Sequence, residues 1–165
     1  MWLAYLSPMK LVFWSVGGKN EPYVSDGIDM FSKRIDHYFK TEWKVVSPPK
    51  NAASMEEQLQ RDAESRLLQE AIDPIDFVVL LDERGRMLDS PGLADLLQQR
   101  ANNGAKKMHF IIGGAFGVND ALRKRADFVW QLSKLVFPHQ LVRLILVEQV
   151  YRACTINRGE KYHHI

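Results

Sequence analysis

The chain has 165 residues, of which 46% are apolar and 25% charged, the make-up of one ordinary globular domain and not of a disordered one. A single cysteine excludes an intramolecular disulfide framework and a thiolate-built zinc centre. The formal net charge is only +2, so any nucleic-acid contact has to come from local clusters of Lys and Arg. These features describe a soluble, cytoplasmic protein.

The opening Met1-Trp2-Leu3-Ala4-Tyr5-Leu6-Ser7-Pro8 is apolar but lacks a basic n-region and a cleavage site, and it is far too short to span a membrane. We read residues 1–8 as an upstream extension, with Met9 as the functional start of one domain over residues 9–165. The alternative is an extra edge segment packed on that domain. No later run reaches membrane-spanning length.

Lys10–Val16 reads as a strand ending at Gly17-Gly18. Val24, Ile28, Phe31, Ile35 and Tyr38/Phe39 recur at helical spacing, which predicts an amphipathic helix from about Pro22 to Phe39. Glu42–Val46 follows as a strand. Ser54 and Glu57 form a capping-box pattern, and the helix they predict runs to about Ala71 with Leu59, Ala63, Leu67 and Leu68 inward. Phe77–Leu81 is apolar on both faces, as expected of a central parallel strand.

Ser90-Pro91 predicts a helix start, with Leu93, Leu96, Leu97 and Ala101 buried and Asn103-Gly104 at its end. Met108–Ile112 is a buried strand that runs into Gly113-Gly114-Ala115-Phe116-Gly117. A short helix at Asp120–Arg125, a short strand at Phe128–Leu132 and a long helix over Gln140–Ile156 complete the chain. Apolar residues nearly encircle that last helix, so it should be buried or lie at a subunit interface. Strands alternating with helices predict an α/β fold, a mostly parallel sheet with helices on both faces.

In such a sheet ligands collect beyond the carboxyl ends of the strands. Three ends carry chemistry: Leu81–Gly85, Gly113–Gly117 and Leu132–His139. The glycine cluster is neither a Walker loop nor a dinucleotide fingerprint. It reads either as a tight turn or as a surface where absent Cβ atoms admit a flat ligand. The five histidines show no metal-ligand spacing, so no metal is expected. Cys154, among apolar helix neighbours, reads as a packed thiol. Any enzyme reading therefore needs a cofactor that brings the reactive group. His139 and Arg143 lie one turn apart, Glu148 and Arg152 are spaced to pair, and Arg158–His164 mixes cations with an aromatic, a combination suited to phosphate and stacked bases.

Ile111–Gly117, Leu132–Arg143, Glu148–Ala153 and Arg158–His163 occur in order, with Lys10–Gly17 and Leu81-Asp82 before them. Together they closely resemble the RlmH family of ribosomal RNA large-subunit methyltransferases, in the SPOUT superfamily, over Met9 to the C-terminus. The resemblance implies a C-terminal trefoil knot, a homodimer, and methyl transfer from S-adenosyl-L-methionine to N3 of a pseudouridine in 23S ribosomal RNA of the assembled ribosome. It implies cofactor contacts at Leu81, Gly113 and the loop Leu132, Ser133, Lys134, Leu135, Val136 and Phe137. His139, Arg143, Tyr162 and His163 are the candidate catalytic residues, with the tail reaching the partner subunit's pocket. Two rivals stand beside this reading. One is a non-catalytic ribosome-binding or assembly factor on the same fold; the other is a phosphate-binding nucleotide enzyme, which the first strand's lack of a Gly/Ser/Thr-rich loop opposes.

Overall fold

The computed structural model describes residues 7–164. Five strands form one sheet in the order β2-β1-β4-β3-β5, and every neighbouring pair is parallel. They are β1 (Ser7–Val16), β2 (Phe39–Val46), β3 (Phe77–Met87), β4 (Lys107–Ile112) and β5 (Phe128–Gln131). The helices are α1 (Pro22–Ile35), α2 (Glu57–Ala71), α3 (Ser90–Asn102), α4 (Asp120–Arg125) and α5 (His139–Arg158), with a 3-10 turn at Ala52–Ser54. Among the described residues no helix is long and apolar enough to cross a membrane.

Alternate residues of each strand feed two separate cores. Leu11, Phe13, Val79, Met108 and Phe110 pack under α1, α3 and α5, and Phe13 stacks between Trp43 and Phe110 at 5.0 and 5.4 Å. Val12, Trp14, Val78, Leu80 and Ile111 face Leu68 of α2 and Leu122 of α4. On this second face lies a buried polar relay. The Trp14 indole donates to His109 Nδ1 at 2.9 Å, so the His109 proton sits on Nε2, 2.8 Å from Asp76. Burial pulls the His109 pKa down from 6.5 against the opposing pull of Asp76, which keeps the ring neutral.

Several expectations are corrected. The chain turns at Asp36–Tyr38, so α1 stops at Ile35 and β2 begins at Phe39. Ser54 caps nothing: its hydroxyl donates to the Asn51 carbonyl inside the 3-10 turn, and α2 starts after Glu56 without a side-chain cap. Leu59 and Leu67 are 56% and 48% exposed, because the inward stripe of α2 is Glu64, Ser65 and Leu68. Those two polar residues face in because Ser65 accepts the Asn119 amide and Glu64 abuts Gly114. β3 continues past Leu81; the chain bulges over residues 82–85 and rejoins β5 at Arg86 and Met87. Ser7 and Pro8 lie within β1, whereas residues 1–6 of the expected extension fall outside the described residues.

Candidate active site

The carboxyl ends of β3, β4 and β5 open into one crevice of about 930 Å³, in the range of small-molecule sites. Its floor is Leu81 and Ile112, and one wall is the Gly113–Gly117 turn. The opposite wall comes from residues 132–137, and His139 and Val142 of α5 close the side. The glycine turn folds back on itself: the Gly117 amide donates to Gly114 O at 3.0 Å, with Gly117 in the left-handed region at φ +74°. A Cβ on Gly113 would come within 3.0 Å of Val118 and 3.2 Å of Gly117. The missing side chain therefore makes room for the returning loop as well as for a ligand.

Gly113, Leu81, Leu132, Ser133, Leu135, Val136 and Phe137 all line the crevice, whereas Lys134 is exposed and does not. Leu135 and Val136 are 71% and 93% exposed, an apolar pair at the mouth. Sequence reasoning missed Gln58, Arg61 and Asp62 of α2, and it reads the basic cluster Arg123-Lys124-Arg125 of α4 as a solvated face, although Arg123 lines the crevice. No motif marks them. Asp82 is held by the Arg84 amide and by Arg123, which also pairs with Asp120, so these charges are mutually compensated.

The four candidate catalytic residues are not together within one protomer. His139 is exposed and lines the crevice. Arg143, although one turn on, is buried and turned away: it donates to Asn20 Oδ1 at 2.7 Å and to the Gly17 carbonyl at 2.9 Å. Burial lowers its pKa. Tyr162 donates to Glu148 at 3.0 Å, under the Arg152 guanidinium at 4.8 Å from its ring, and His163 lies beside Arg152. Burial and the Glu148 carboxylate raise the Tyr162 pKa, so the phenol keeps its proton. Glu148 is nine residues beyond His139, about 14 Å along the axis at 1.5 Å per residue.

The family model described as "Predicted SPOUT methyltransferase" matches residues 9–163. The chain belongs to the SPOUT methyltransferase family. A protein of Cytophaga hutchinsonii named ribosomal RNA large subunit methyltransferase H is 40% identical over 94% of this chain and all of its own length. One of the same name from Christiangramia forsetii is 41% identical over 83% of this chain and 87% of its own. Among solved structures, a probable methyltransferase from Bordetella pertussis superposes with TM-score 0.59 at 12% identity, covering 90% of this chain and 96% of that one. At that identity the likeness speaks for the fold alone. For a SPOUT methyltransferase the crevice suits S-adenosyl-L-methionine: it has main-chain walls a flat purine can approach, apolar side chains at Leu81, Leu132 and Val142, and volume for an amino-acid tail.

Proposed function

We propose that this chain transfers a methyl group from S-adenosyl-L-methionine to N3 of a pseudouridine in 23S ribosomal RNA of the assembled ribosome. The observation that carries the reading is the glycine-walled crevice at three adjacent strand ends, in a chain matching the Cytophaga methyltransferase over that protein's whole length. The cofactor supplies an electrophilic methyl group. Leu81, Gly113 and the 132–137 loop would hold it, and the transfer needs the acceptor nitrogen aligned with that methyl group. An imide nitrogen must also shed its proton, and His139 at the crevice mouth is the exposed group able to take it.

Tyr162 and His163 supply the other side of the site from a second copy of this chain. Lying in the tail after α5 and packed against Glu148 and Arg152, they are kept from the crevice of their own protomer. The homodimer also gives a cover to the apolar pair Leu135 and Val136. There Tyr162 turns its single O–H from Glu148 to a carbonyl of the acceptor base, and Arg152 and His163 meet phosphate. Arg143 acts from behind, fixing the turn after β1 against α5. The reading places the enzyme in the cytoplasm with the ribosome and carries with it the trefoil knot of the resemblance.

Mass-spectrometric mapping of 23S ribosomal RNA from a strain lacking the protein, and its restoration by the wild type, tests the reading. One pseudouridine should lose a single methyl group. An unchanged modification map with retained ribosome binding would favour the assembly-factor alternative.

A further inference from the structure

Glu64 of α2 is 2% exposed and lies directly behind the glycine wall of the crevice. One carboxylate oxygen accepts a hydrogen bond from Gln60 at 2.9 Å, and the other, Oε2, has no partner. A Cβ on Gly114 would sit 2.5 Å from that oxygen, so the carboxylate presses against the main chain that lines the crevice on its other side. Among the described residues Glu64 forms no ion pair. The crevice's other carboxylates differ. Asp82 and Asp120 pair with Arg123, Glu83 is exposed and Asp62 is partly solvated.

A carboxyl group held out of water without a counter-charge either keeps a proton or draws a cation close. The ligand proposed for this crevice is a sulfonium, and its demethylated product is a neutral thioether. We infer that Glu64 is a positioning and selectivity residue whose buried charge, acting through the single layer of main chain at Gly114, favours the cationic cofactor over its neutral product. Binding would thus be strong before methyl transfer and weaker after it, which speeds release. This rests on the cofactor assignment above.

Calorimetric titration of the full-length protein with S-adenosyl-L-methionine and S-adenosyl-L-homocysteine tests the inference without any turnover. Glu64→Gln keeps shape and Gln60 contact while removing the charge. It should weaken binding of the sulfonium on the order of tenfold, the size expected of one charge a layer of main chain away. Binding of the thioether should change less than twofold. Equal losses for both ligands would mean that Glu64 only shapes the loop, and no loss for either would mean that its charge is not felt; both overturn the inference. Should the variant fail to fold, the wild type decides. Sinefungin, with an amine at the sulfonium position, should bind about tenfold tighter than the thioether, and equal affinities refute the claim. If neither the sulfonium nor the thioether binds the wild type, the cofactor assignment itself falls; if both bind with an unaltered ratio in the variant, only the role of Glu64 falls.

Discussion

Two arginines on one helix show how differently the same side chain is used. Arg143, in the first half of α5, is 5% exposed and holds backbone carbonyls of the turn after β1. Arg152, in the second half, is half-buried, paired with Glu148 and stacked on Tyr162. The first is committed to the frame: it bridges Asn20 and the Gly17 carbonyl, and among the described residues it pairs with no carboxylate. The second sits in a network of aromatic rings and charges that includes Tyr151, whose ring lies 4.7 Å from that of Tyr162. Burial, not residue type, separates frame from candidate chemistry.

The sharpest way to break that contrast is Arg143→Met. Losing its charge-assisted hydrogen bonds to Asn20 and the Gly17 carbonyl should cost about 3 kcal/mol in urea denaturation. Arg152→Met, at a partly exposed pair, should cost about 1 kcal/mol. Equal costs would erase the distinction. The buried relay extends the contrast to a second site. His109→Gln should lose about 2 kcal/mol, since it breaks the Trp14 and Asp76 bonds together.

The relay also carries a pH signature. The folded His109 pKa lies below 6.5, so as pH falls through 6.5 the unfolded chain takes up a proton that the folded one refuses. Stability should therefore decline on acidification below about pH 6.5, and the Gln variant should decline less steeply over the same window. Parallel slopes would mean that the ring titrates normally. Tyr162→Phe should change stability by no more than about 1 kcal/mol in thermal melting. Methylation of ribosomes under single-turnover conditions should nevertheless fall at least tenfold. A full rate with unaltered binding removes the tail from the chemistry.

The parallel sheet was legible because its strands are apolar on both faces: Phe77–Leu81 and Met108–Ile112 have no solvated side to confuse the pattern. The crevice followed from the strand ends together with the motif resemblance. What sequence spacing hid was direction. His139 and Arg143 share a helical face by count, yet one reaches the crevice and the other turns to the Gly17 carbonyl. On α2 the apolar spacing of Leu59 and Leu67 pointed the wrong way, since Glu64 and Ser65 occupy the inner face to meet the loop after β4. Polar residues with distant partners override an apolar stripe, and their partners are not visible in a linear pattern.

The strand order has one further outcome. β3 is flanked by β4 and β5, both of which follow it in the chain. A nascent polypeptide emerging in order would thus carry β3 with neither neighbour until residue 107 is made, and without its second until residue 128. No fragment ending before that point has a site to load, so the small molecule can act as a folding template only once synthesis is nearly finished.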